Sequence, residues 1–282
     1  LRGWAGFSCR HPSRVSLITE ATFLLISQGV LAGIFAGTIG GTLSGLAGLG
    51  GGVIYMPILY LLLTEGGEGA AAAVMTSLIA VFFTGLFSSY THWRLHHVDK
   101  TLSHNFVPWL VAGATTGLWI TLKISETMIL LGLVVLDMWI IRDLGHSYSR
   151  KKNPAGQHPV GVLIGFISGI LGIGGGTMLV PVLRRFVALR HAVGTAAFCG
   201  TVMAGLAVMI NLMVENRWPQ LMQGQLVLAV SFLAGVLLVL SPSSRLAAAM
   251  HQSCPEPQIR LILRIIFAFL ALFLLILGLV AM

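Results

Sequence analysis

Ser44-Gly-Leu-Ala-Gly-Leu-Gly-Gly-Gly52, running on through Val53-Ile-Tyr-Met-Pro57, is written a second time as Ser168-Gly-Ile-Leu-Gly-Ile-Gly-Gly-Gly176, running on to Pro181. Aligned at a constant offset of 124, Gly37–Leu59 and Gly161–Leu183 agree at Gly37, Gly41, Ser44, Gly45, Gly48, Gly50, Gly51, Gly52, Pro57 and Leu59. Most remaining positions exchange one apolar residue for another. A repeat of this quality sets the architecture before any local reading does.

The setting of the phrase is apolar. Of 282 residues, 56% are hydrophobic and 9% charged, against roughly 25% charged in a soluble domain. Apolar segments of the length needed to cross a bilayer, about 20 residues for a helix, recur along the chain between short polar connectors. The fold class expected is therefore an all-α polytopic membrane protein. The net charge of +8 sits in the connectors, as orientation signals do, so nucleic acid is not the partner it implies. Cys9, Cys199 and Cys254 lie at unrelated spacings, which indicates neither a disulfide framework nor a metal site. Residues 1–20, with Arg2, Arg10 and Arg14 but no apolar core before residue 16, read as a cytoplasmic N-terminal tail.

Three glycines in a row unwind a helix, since each costs roughly 1 kcal/mol relative to Ala. Non-helical backbone at membrane depth survives only where protein or a polar cavity covers it. The block from Thr22 to Leu63 is thus expected to hold one crossing and then a broken, re-entrant segment. It leads to the acidic turn Glu65–Glu68 and to spans over 70–90, 106–122 and 127–141. The basic connector with Arg142, Arg150, Lys151 and Lys152 divides repeat 1 (21–143) from repeat 2 (159–282), leaving 144–158 as a cytoplasmic linker.

Repeat 2 opens with the second broken segment, 159–187, and continues in spans over 192–214, 224–240 and 259–281, with Pro242, Pro255 and Pro257 marking the loop before the last. Basic residues flank the second break on both sides (Arg184, Arg185 and Arg190 beyond it), so it should return to the face it entered. The first emerges at an acidic turn, so the two breaks should enter from opposite faces as inverted repeats. That scheme predicts about seven crossings plus two re-entrant segments.

A glycine loop that opens a helix presents unpaired N–H groups and the positive end of the helix dipole to an anion. The residues predicted to bind substrate are Ser44, Gly50, Gly51, Gly52, Thr76, Ser77, Ser168, Gly174, Gly175, Gly176 and Thr195. The competing account is close helix packing, with hydroxyls bonding their own backbone; duplication of Ser, triple Gly and Pro favours binding. No cofactor is expected. Val53 and Thr177, with no Lys, follow the triple glycines, so no Walker pattern is present, and Thr42 and Phe166 exclude a nucleophile elbow.

The duplicated Gly-x-x-x-Gly-x-x-Ser-Gly, leading to Gly-x-Gly-Gly-Gly and Pro, resembles the TauE/SafE-type sulfite exporter family of membrane permeases. Ala73-Val-Met-Thr-Ser-Leu78 and Ala192-Val-Gly-Thr-Ala-Ala197 resemble that family's Ala-Val-Gly-Thr-Ser-Leu phrase. The resemblance implies export of sulfite or organosulfonates such as sulfoacetate across a bacterial inner membrane, with a small anion and the lipid bilayer as partners. Ala196 departs from the phrase, where Ser is expected. A cation channel or transporter using the same breaks, or an intramembrane enzyme, are the alternatives.

Asp137, a carboxylate inside a span, is a candidate for proton coupling, although nearby Arg142 favours a structural ion pair. Asn211 is expected to bridge helices. His92, His96, His97 and His191 are read as solvated or interfacial, and Arg184 and Arg185 as orientation anchors more than as guides for anions.

Overall fold

The computed structural model describes residues 14–48, 50–63, 69–144, 158–214, 218, 220, 225–253 and 256–280. The turn at Glu65–Glu68 and the connector residues Arg150, Lys151 and Lys152 lie outside the described residues. The described elements are helices: α1 (Arg14–Ala47), α2 (Gly52–Leu63), α3 (Gly69–Arg94), α4 (Lys100–Thr121), α5 (Glu126–Leu144), α6 (His158–Leu171), α7 (Gly176–Leu183), α8 (Leu189–Val214), α9 (Leu226–Ser253) and α10 (Glu256–Val280). No strand occurs among the described residues.

Both glycine phrases break the helix where expected, between α1 and α2 and between α6 and α7. Gly48 and Gly172, at equivalent places in the repeat, start the two breaks with φ of 67° and 68°. A Cβ there would meet the left-handed penalty as well as its neighbours. The glycines before the breaks serve packing instead. Gly29, Gly33, Gly37 and Gly41 lie along α9, and Gly161, Gly165 and Gly169 along α4. At Gly33 a Cβ would come within 3.0 Å of Gly235 Cα. Backbones this close give dispersion contact along the whole seam, which replaces the hydrophobic drive that lipid cannot supply.

These contacts fix directions. Gly29 faces Ser231 and Gly41 faces Ser243, so α1 runs parallel to α9; Gly161 faces Trp109 and Gly169 faces Ala114, so α6 runs parallel to α4. One end of the bundle carries His92, His97 and His191 and the Asp143–Arg184 ion pair of 3.5 Å. Call it the histidine end. At the opposite end Gln225 Nε2 donates to the Leu63 carbonyl (3.0 Å) and Ala70 N donates to Glu126 (3.2 Å). The α6–α7 hairpin leaves the histidine end, reaches Thr121 at the far tip of α4, whose Oγ1 donates to Ile170 O (3.3 Å), and returns to Asp143. The α1–α2 hairpin does the reverse, turning near Val193 at the start of α8 and ending at Leu63.

Several expectations change. α1 is a single helix of 34 residues that runs up to the first break, and its stretch Thr22–Leu46 is long and apolar enough to cross a membrane. Its parallel course beside α9 places its start at the end opposite the histidines. It also begins inside the stretch 1–20 assigned to a tail. Among the described residues four helices are long and apolar enough to cross a membrane, over Thr22–Leu46, Gly69–Arg94, Leu189–Val214 and Leu226–Ser243. The α2, α6 and α10 apolar stretches are shorter. Pro242 does not end its span; α9 continues through it to Ser253. The outer surface is apolar, with Leu31, Phe35, Val135, Leu238 and Phe269 all more than half exposed. A belt of this kind is what lipid covers.

Candidate functional site

The two breaks meet in the middle of the bundle. A Cβ on Gly52 would lie 2.5 Å from the Ile173 carbonyl oxygen, and one on Gly176 would strike the Gly48 carbonyl. Val81 of α3 stands against both loops, at Gly50 and at Gly174. The predicted substrate residues Ser44, Gly50, Gly51, Gly52, Thr76, Ser77, Ser168, Gly174, Gly175, Gly176 and Thr195 are all buried. Their hydroxyls divide into two groups. Ser44 Oγ, Ser168 Oγ and Thr76 Oγ1 have no hydrogen-bond partner among the described residues, although each residue is at most 1% exposed. A buried hydroxyl without a partner is costly, so these three stand ready to bond to something else.

Ser77 and Thr195 are already engaged. Ser77 Oγ donates to the Gly172 carbonyl at 2.6 Å, which pins the second loop to α3. Thr195 Oγ1 accepts from Asp99 N at 2.9 Å, tying the start of α8 to the cap of α4, where Asp99 Oδ1 accepts from the N–H groups of Thr101 and Leu102. Neither side chain makes the bond to its own helix that was the competing account.

The half-helices differ in what faces them. Gly175 caps α7 with no side-chain hydrogen bond, and the first N–H groups of any helix lack a preceding turn to bond to. Gly200 of α8 looks straight at them: a Cβ on Gly200 would lie 3.0 Å from Gly176 N and 3.7 Å from Gly175 N. The α2 start instead backs onto the Ile173 carbonyl. Tyr55 fills the space behind Gly51 and Gly40, and its hydroxyl pairs with Thr84 Oγ1 at 2.9 Å. Ser88 Oγ donates to the Ser44 carbonyl at 3.2 Å, holding the approach to the first break.

Sequence reasoning missed Val81 and Gly200. Extending the Ala73/Ala192 alignment by a few residues brings these two into register, a large residue in one copy and none in the other.

The polar residues weighed outside the breaks also find places. Asn211 Nδ2 donates to Thr115 O (3.2 Å) and Ala207 O (3.0 Å), so it bridges α8 to α4 as expected. Arg184 is buried against Asp143 rather than exposed as an anchor. His92 is buried and lies tilted against His97, which meets the exposed His191 edge-on, so of the three only His92 departs from the solvated or interfacial reading. Asp137 is 0% exposed and neither carboxylate oxygen has a partner among the described residues; the ion pair expected with Arg142 is not made. Arg142 lies on the exposed side of α5 while Asp137 is on the buried face.

Comparison with known proteins places the chain among membrane transporters. Over 250 residues the chain is 28% identical to a protein of Haemophilus influenzae named "probable membrane transporter protein", covering 83% of this chain and 91% of that one. A protein of Methanocaldococcus jannaschii, also named a probable membrane transporter, is 26% identical over 246 residues, 82% of this chain and 89% of its own. No solved structure matches. The model of the sulfite exporter TauE/SafE family matches residues 33–274, both breaks included. A multi-pass membrane transporter with the glycine phrase written twice, the chain belongs to the sulfite exporter TauE/SafE family.

Proposed function

We propose that this transporter exports a small sulfur-containing anion, sulfite or an organosulfonate such as sulfoacetate, across a bacterial inner membrane by alternating access of two inverted halves. The observation that carries the reading is the meeting of the two breaks, with the buried and unpartnered hydroxyls of Ser44, Ser168 and Thr76 beside them. Helix starts supply N–H groups and a favourable dipole for an anion, and hydroxyls without protein partners supply further donors. The α7 start, faced by Gly200, is the principal seat. The inverted halves are supported by the way α1 lies along α9 while α6 lies along α4, each hairpin on a helix of the other half. With the histidine end on the cytoplasmic side, as its basic residues favour, the α6–α7 hairpin opens inward and the α1–α2 hairpin outward.

A second reading, cation transport, draws on the Gly48 and Ile173 carbonyl oxygens, which face the opposite loop. One experiment separates them. Purified protein is titrated with sulfite, thiosulfate, sulfoacetate, sulfate, acetate and sodium. Binding of the sulfur anions is expected; binding of sodium alone overturns the anion reading.

A further inference from the structure

The turn from α3 into α4 leaves a groove that the anion site does not use. Trp93 from the end of α3, Lys100, His104 and Pro108 from α4, and Phe198 and Val202 from α8 wall a cavity of about 340 Å³. Trp93, Lys100, His104 and Pro108 are exposed, so the cavity opens on the outer surface of the bundle. α3 and α8 are both long and apolar enough to cross a membrane, and the groove starts where α3 ends. It therefore sits at the boundary between headgroups and hydrocarbon, where Trp side chains concentrate.

The chemistry is graded along the groove. Lys100 opens α4, His104 follows about one turn later, and Pro108 about another turn on, roughly 12 Å from Lys100 along the axis. Phe198 and Val202, one turn apart on α8, form an apolar strip on the facing side. Charge thus stands at the rim and carbon at the deep end. The Trp93 ring joins the two: its centroid is 5.6 Å from that of Phe198, and Lys100 Nζ lies 5.3 Å over its face.

The charge around the rim has one sign. Residues 92–104 include Arg94, Lys100 and four histidines against a single acid, Asp99. Asp99 Oδ1 accepts from the N–H groups of Thr101 and Leu102, so that carboxylate serves the start of α4. Arg94 lies over the Tyr90 ring at 5.6 Å. No carboxylate pairs with Lys100 among the described residues. A phosphate at the rim would meet a cation that nothing else neutralises, whereas a zwitterionic headgroup would bring its own ammonium against Lys100.

We propose that this groove binds one anionic phospholipid, with its phosphate against Lys100 and His104 and an acyl chain along Pro108, Phe198 and Val202. Basic pockets between membrane helices recognise anionic headgroups in this way. The site is separate from the proposed anion transport and does not rest on it.

Delipidated full-length protein in a non-ionic detergent provides the test. It is titrated with phosphatidylglycerol, with phosphatidylcholine of the same acyl chains, and with deacylated glycerophosphoglycerol, and bound molecules are counted by native mass spectrometry. One phosphatidylglycerol should be retained about tenfold over phosphatidylcholine, and the deacylated headgroup should not be retained. Lys100→Gln combined with His104→Gln should bring the ratio of the two lipids close to one. Both residues are exposed, so the melting point without lipid should stay at the wild-type value; if it falls, Lys100→Gln alone should still lower the ratio at least threefold. Lys123→Gln removes an ammonium that lies 3.7 Å over Trp119, past the other end of α4, and should leave the ratio unchanged. Equal retention of the two lipids, a ratio that survives the loss of Lys100, or an equal fall in K123Q overturns the proposal. Retention of the deacylated headgroup as strongly as the diacyl lipid also overturns it, by assigning the rim to a free phosphate ester.

Discussion

Ser77 Oγ holds the carbonyl oxygen of Gly172 at 2.6 Å, a bond from a helix of the first half to the glycine loop of the second. The matching position in the second half is Ala196, which has no hydroxyl to offer the first loop. The second break is thus fastened across the molecule by a hydroxyl, and the first has no such hydroxyl bond to the other half among the described residues. Ser77→Ala should remove about 1 kcal/mol of stability, read as a lower thermal midpoint in detergent, while Ala196→Ser should leave that midpoint little changed.

The unpartnered hydroxyls make an opposite prediction. Ser44→Ala and Ser168→Ala discard hydroxyls that have no hydrogen-bond partner among the described residues, so stability should hold or rise slightly. Sulfite or sulfoacetate affinity should fall, by about tenfold for each donor lost to a charged ligand. Isothermal titration with parallel melting curves checks both. A loss of stability with affinity unchanged would assign the serines to packing.

Gly200 offers a steric test. Its missing Cβ would stand 3.0 Å from Gly176 N, beside the N–H groups proposed to hold the anion. Gly200→Ala should weaken anion binding at least as much as loss of either serine. At Gly132 the atom met by a Cβ is the end of the Leu171 side chain at 2.9 Å, so Gly132→Ala should be absorbed by a rotation of that leucine and leave affinity near wild type.

The buried pair at the histidine end should behave asymmetrically under mutation. Arg184→Ala leaves Asp143 charged, buried and without this cation, a loss of about 3–5 kcal/mol. Arg184→Met combined with Asp143→Asn removes both charges and should regain most of it. Thermal melting of Arg184→Met, Asp143→Asn and the double variant measures the coupling.

The duplicated phrase made the breaks legible because three consecutive glycines in an apolar segment have few other uses, and the repeat doubled the signal. The length of α1 was not legible. Gly37, Gly40 and Gly41 look like interruptions in sequence, yet α1 runs through them because they face α9 and Tyr55 rather than bend the chain. Asp137 was misread for a related reason. Arg142 is close in sequence, but five residues around a helix turn it away from the face that carries Asp137. Hydroxyl roles were beyond sequence altogether: Ser44, Ser77 and Thr195 look alike in a motif, and only the fold distinguishes the unpartnered one from the two already bonded.

The parallel seams of α1 with α9 and of α6 with α4 mean that chain order and mechanical order differ. Each glycine face is covered by a helix from the other half, so a half made alone would present that face bare. Residues 14–144 and 158–280, synthesised as separate chains, should each be unstable and should reassemble when produced together. In the proposed alternating access, the moving body would be a hairpin with its adopted helix. Spin labels on α1 and α9 should keep their separation through the transport cycle, while labels on α1 and α6, partners by descent, should move apart.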